Sequence, residues 1–284
     1  MSKDYSAAAV LSVLIGLTPV GATADAWAPT GDAALRHDLQ TLADGGVFRL
    51  PTTTWPIPIA DIAAELERTT GASLDGPMAA AVARVKARVQ RESRSGTSSR
   101  VQASVAENPQ QMRGFADTPR EDAELGGSVT WQSEQFSVRL AATAVADPRD
   151  GQELRADGSY VAGTFGNVLI SAGFLDKWWG PGNDGSLILS NNARPMPAIT
   201  IERARSTPFE TPWLSWIGPW RAVATFGMFE GSREDYANPH FFGLRVVARP
   251  LPQLEVGISR TAMLCGEGRP CGLDTWWDMF IGND

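Results

Sequence analysis

The sequence predicts a mainly β chain with an α-helical N-terminal part. Its strands are expected to be antiparallel and arranged as in an outer-membrane β-barrel. Three observations carry this expectation. An apolar N-terminal run followed by small residues marks the chain for export. The hydrophobic period changes from helical to two after a polar stretch at 91–100. Connections between the alternating segments are short on one side and long on the other, as in barrels that cross the outer membrane.

The 284 residues suffice for one large or two modest domains. Lys and Arg total 25 against 32 Asp and Glu, and the net charge of -7 gives no general attraction to nucleic acid. Ten Trp and 28 Gly suit an aromatic-rich β protein with many turns. Lys3 opens the chain, and "SAAAVLSVLIGLTPV" is an apolar run too short to span a bilayer as a mature helix. "ATA" at Ala22 to Ala24 is a small-residue cleavage site. Residues 1–24 therefore read as a signal peptide, with a buried helix or an uncleaved anchor as the other reading.

Residues 25–96 read as helical. Leu35, Leu39 and Leu42 share one face, with Asp32 placed to cap the start and Gly45 or Gly46 to stop the end. Ile62 and Leu66 lie one turn apart, and Pro58 sits where a first helical turn tolerates it. A third helix after Pro77 turns Val82, Val85 and Val89 inward and Arg84, Lys86, Arg88 and Arg91 outward. That cation run reads as a solvated face suited to a helix C-terminus, ahead of a nucleic-acid or lipid face. "RESRSGTSSR", residues 91–100, reads as a linker.

The strands follow. Leu125, Gly127, Val129 and Trp131 alternate with Gly126, Ser128, Thr130 and Gln132. Phe136, Val138 and Leu140 oppose Ser137 and Arg139. Phe242, Leu244 and Val246 oppose Gly243 and Arg245, and Leu254, Val256 and Ile258 oppose Glu255 and Ser259. About nine or ten such strands of roughly barrel-spanning length are expected. Turns near Ser133, Gly166 and Pro250 are tight, whereas 146–158, 177–197 and 229–240 are long. The long link "STPFETPWLSWIGPW" breaks the rule, because parity puts it on the short-turn side. A soluble β-sandwich shares the alternation and predicts the opposite burial, with apolar faces inward.

Catalytic patterns are sparse. His37 reads as a helix-face residue, and His240 falls in a long loop without a Ser partner. Neither G-x-S-x-G nor H-E-x-x-H occurs. Gly180, Gly182 and Gly185 match G-x-G-x-x-G, but Pro181 intervenes and no βαβ unit surrounds them. They read as allowing tight turns and close backbone approach, and no cofactor or metal is implied. Asp176, Asp184 and Glu202 leave a carboxylate hydrolase as a minor option. Cys265 and Cys271 bracket five residues and can close a disulfide in an oxidising compartment.

"DKWWGPGNDGSLILSNNARPMPAITIER" and "LSWIGPW" resemble the signature of the Wzi-type capsule assembly proteins. "LRHDLQTLADGG", "PTTTWPIP" and "FGLRVVARPLPQLEVGISRTAMLCGEGR" extend the likeness from near Trp27 to the end. The resemblance implies an outer-membrane β-barrel with a small periplasmic helical bundle, here 25–96 before a partial barrel at 97–284. It implies a non-catalytic surface lectin whose partners are capsular or exopolysaccharide and outer-membrane lipid. Members of the family are longer, with about eighteen strands, so the resemblance also implies a truncated or split barrel. A porin-like channel is the alternative. Sugars stack on aromatic rings and bond to amides and guanidiniums. Trp178, Trp179, Asn191, Asn192, Arg194 and the expected lumen-facing Arg203 and Arg205 are therefore candidate polysaccharide contacts. The same residues also fit a plug loop or an aromatic girdle.

Overall fold

The computed structural model describes residues 25–230 and 236–282, so the expected signal peptide at 1–24 lies outside the described residues. In chain order the elements begin with β1 (Trp27–Ala28), α1 (Ala33–Asp44), β2 (Thr54–Trp55), β3 (Ile57–Pro58), α2 (Ile59–Arg68) and α3 (Gly76–Glu92). Next come β4 (Gly96–Val105), β5 (Ala123–Gln132), β6 (Phe136–Ala146), β7 (Leu154–Arg155), β8 (Tyr160–Phe165) and β9 (Val168–Gly173). The last are β10 (Trp178–Trp179), β11 (Ala198–Arg203), β12 (Trp220–Met228), β13 (His240–Leu251), β14 (Leu254–Leu264) and α4 (Leu273–Ile281).

The helices form where caps and apolar spacing place them. The Asp32 carboxylate accepts from the Leu35 amide at 2.9 Å, and Gly45 ends α1. Leu35, Leu39 and Leu42 meet Ile62, Val85 and Val89 in one core, with Leu66 and Val82 at its edge. Pro58 stands just before α2 as its cap. His37, Lys86 and Arg91 are exposed. Arg84 and Arg88 reach back to Asp38 and Asp32 of α1 at 2.6 and 3.2 Å.

The long strands form one antiparallel sheet in the order β14-β13-β12-β11-β9-β8-β6-β5-β4, with β7 beside β6. Among the described residues β4 and β14 are free edges, so the wall is an incomplete barrel. Two sequence expectations change here. The linker shrinks to Ser93–Ser95, because α3 runs through Glu92 and "GTSSR" opens β4, paired with Trp131 and its neighbours on β5. The cross-strand ladder overrides the weak strand preference of Gly and Ser. His240 begins β13 rather than lying in a loop, held by pairing to Met228 and Leu264.

Burial decides between the two β architectures. Leu125, Val129, Leu140 (69%), Ile199, Ile201, Val246, Val256 and Ile258 (75%) are exposed on one face. Ser137, Thr200, Glu202, Arg221, Thr225 and Arg245, of opposite parity, are buried. A sandwich would bury the first set; a barrel wall turns it to lipid.

The buried polar face is covered by the N-terminal segment. Arg221 donates to the carbonyls of Thr54 and Pro56 at 2.8 and 3.1 Å. Arg245 reaches the Thr54 hydroxyl at 2.8 Å. The Glu255 carboxylate accepts from the amides of Thr52 and Thr53 at 2.8 and 3.0 Å. The Trp27 indole donates to Glu202 at 2.7 Å. The irregular 204–219 link also finds its reason: Ser206 donates through its amide and hydroxyl to Asp61 of α2, at 2.7 and 2.9 Å. It is long because it grips the helical part. At the far end, α4 lays Trp276 and Phe280 on Phe226 and Phe242.

Candidate functional site

The segment between β9 and β11 leaves from and returns to the long-loop rim, as turn parity predicts, but it folds inward. Trp178 pairs with Trp55 and Trp179 with Thr54, making β10 a partner of β2. Both indoles are 0% exposed, so neither presents a face to a sugar in this structure. Trp178 stands edge-on to Phe115, which does the same to Trp55. The glycines permit this path. Gly180 has φ +157°, and a Cβ there would lie 2.8 Å from the Leu187 amide nitrogen. One on Gly182 would meet the Gly185 carbonyl at 2.5 Å.

The turn also has the wrong polarity for a phosphate. The carbonyls of Pro181 and Gly182 accept from the buried Arg36 guanidinium at 2.7 and 2.9 Å. Arg36 lies 4.1 Å over the Phe115 ring, and burial lowers its pKa to about 10. The loop thus offers acceptors to a cation where a phosphate cradle offers amide donors.

The rim itself is a charged network drawn from three loops. Arg194 holds the Asp157 carboxylate through two bonds of 2.9 and 2.8 Å and reaches Asp150 at 3.0 Å. Those bonds to Asp157 raise its pKa further. Burial works against ionisation of Asp150, but bonds from the Gln152 amide, Arg155 and Arg194 outweigh it and hold the carboxyl at about 2. Arg155 also meets Glu121 at 2.7 Å. Arg113 donates to the Asn191 carbonyl at 3.0 Å, and its amide donates to the Asn192 side chain at 2.6 Å. Arg120 donates to the Asn192 carbonyl at 2.8 Å and pairs with Asp176 at 3.3 Å. Asn191 is buried and Asn192 exposed. Beneath them lies a polar cavity of about 190 Å³ lined by Gln102, Arg113, Arg120, Arg155 and Asp176.

The family model described as capsule assembly protein Wzi matches residues 91–284, more than half of the chain. This chain belongs to the Wzi capsule assembly family. It is 34% identical to an uncharacterised 55.8 kDa protein of the cps region of Klebsiella pneumoniae over 283 residues, 96% of this chain and 54% of that protein. It is also similar to a solved structure of Wzi, an outer membrane protein involved in group 1 capsule assembly in Escherichia coli and a carbohydrate-binding β-barrel. That match has a TM-score of 0.79 and 29% identity and covers 89% of this chain and 57% of the other. The chain therefore spans about half the length of the two relatives it matches here.

The structure of this Wzi-family chain places the remaining candidates elsewhere. Arg203 and Arg205 do not face the lumen. On β11, Thr200 and Glu202 are buried inward, so Arg203 shares the outward parity of Ile199 and Ile201. Its guanidinium lies 3.7 Å over Trp220, which stacks on Phe209, at the short-turn rim. Arg205 is exposed in the bend beyond. Glu202 is the true lumen residue of the pair, engaged by Trp27 and by Arg221 at 2.8 Å. Cys265 and Cys271 are joined by a disulfide. Arg36, Arg113 and Arg120 escaped the sequence reading. Arg36 sits on a helix face read only for its leucines, and 106–122 shows no period at all.

Proposed function

We propose that this chain acts in the outer membrane, where it binds surface polysaccharide and helps retain it on the cell, without catalysing its breakdown. One observation supports this reading most: an exposed apolar wall encloses a polar interior capped at one rim by a three-loop network of Arg, Asp and Asn side chains. The apolar band suits outer-membrane lipid, and the rim offers donors and acceptors to sugar hydroxyls and carboxylates. The family and the carbohydrate-binding description of the Wzi structure support the same reading.

Within it, the exposed Asn192 and the neighbouring Arg194 stand where polymer arrives. Trp178, Trp179 and Asn191 hold the loop beneath them. The N-terminal residues would form the periplasmic bundle and plug. That plug argues against an open porin, because it fills the polar side of the wall. The test uses host capsular polymer. Purified protein should bind it and leave its chain length unchanged, and cells lacking the protein should shed it. Shortened polymer, or unaltered retention, overturns the proposal.

A further inference from the structure

The inner wall is satisfied unevenly. Along β11–β14 the inward charges are tied to the N-terminal segment: Glu202 to Trp27, Arg221 to Thr54, Arg245 to Thr54 and Glu255 to Thr52. Beside β4 the segment stands off, although Asp25 still reaches Arg139 of β6 and Tyr160 of β8. A second cavity of about 300 Å³ opens there, lined by Arg100, Arg139, Tyr160 and Asp25. It shares Gln102, Asp117 and Asp176 with the cavity beneath the rim, so the two form one polar groove running inward from the long loops.

The acids of this groove are already engaged. Asp25 accepts from Arg139 and Tyr160 at 2.9 and 2.6 Å. Asp32 holds Arg88, Asp117 holds Arg113, Asp176 holds Arg120, and Asp157 holds Arg194. Arg100 is different. It projects from the inward side of β4, half-buried, with no hydrogen-bond or ion-pair partner among the described residues. Gln102 lines the groove two residues on, and Thr143 of β6 lies beside it, neither with a side-chain hydrogen bond among the described residues.

We infer that this groove is a subsite for an acidic sugar unit, with Arg100 receiving its carboxylate and Gln102 and Thr143 its hydroxyls. The inference rests on the polysaccharide-binding reading and adds the chemical class of the unit bound. A guanidinium fork matches a carboxylate in two parallel bonds, and partial burial strengthens them. A neutral sugar would leave the fork unused.

The test compares the host capsular polymer, native and after chemical reduction of its carboxyl groups, on the purified protein in detergent. Native polymer should bind on the order of ten-fold more tightly than reduced polymer, the size of one charge-assisted contact. Arg100→Gln should lower native binding to the reduced level and leave reduced binding unchanged, and Arg100→Glu should go below it. A circular-dichroism spectrum and melting curve matching wild type check the folding of each variant, and the wild-type comparison stands without them. Equal binding of the two polymers, a host polymer without carboxylates, or an unaltered preference in folded Arg100→Gln overturns the subsite alone. Binding of neither polymer overturns the polysaccharide reading with it.

Discussion

Trp178 shows how much of this molecule turns on single buried side chains. Its ring has no exposed surface and its indole N–H donates to the Gly182 carbonyl at 3.0 Å, closing the turn that Arg36 braces from the other side. Trp178→Ala should destabilise the fold by about 3–5 kcal/mol, seen as a lower melting temperature, because the cavity between α1 and β10 cannot collapse. Trp178→Phe should lose less. Lys177, its neighbour, is buried and its amine donates to the Leu175 carbonyl at 3.4 Å; burial, only partly offset by the charges of Glu202 and Asp176, lowers its pKa from 10.5 to about 8. The unfolded chain therefore binds more protons between pH 8 and 10.5, and stability rises with pH across that window. Lys177→Met should be the more stable protein at neutral pH, by on the order of 3 kcal/mol. Its advantage should fade by about pH 10.5. Parallel denaturant titrations at pH 7.5 and 10.5 measure it; a constant difference contradicts the assignment.

At the scale of elements, the contact between the N-terminal segment and the wall is made by polar residues on strands whose other face is apolar. Glu255 is one such bolt, accepting the amides of Thr52 and Thr53. Glu255→Ala removes both charge-assisted bonds, each worth about 1.5–3 kcal/mol. Hydrogen exchange at Thr52 and Thr53 should accelerate while exchange in the β5–β6 hairpin stays as it was. The helices and long strands were legible in the sequence because each repeats its period over several turns or residues. The short strands β1, β2, β3 and β10 were not, since two residues carry no period and their pairing is tertiary. Arg203 failed for a different reason. Its strand has six residues, and the parity that sends Glu202 inward sends Arg203 outward.

The whole molecule is an open wall, apolar outside and polar inside, with a helical segment and an inward loop against the polar side. Ile258, 75% exposed near the middle of β14, belongs to the apolar band. Ile258→Arg should cost about 2–4 kcal/mol on folding into phospholipid vesicles, and far less in water-exposed settings. Equal folding yields of wild type and variant in vesicles would remove Ile258 from the lipid-facing band.

The sequence by itself determined the helical start, the change of period after α3, the alternation of each long strand, the rim asymmetry and the family, because all of these are written in local spacing. Only the tertiary structure decided which face of the strands is buried. Alternation defines two faces and says nothing about which one meets the interior; the N-terminal segment settles that by bonding to the polar one. The same physics relocated the paired tryptophans. Their composition fits sugar stacking as well as it fits packing, and only the partners brought from β2 and the 106–122 loop bury them.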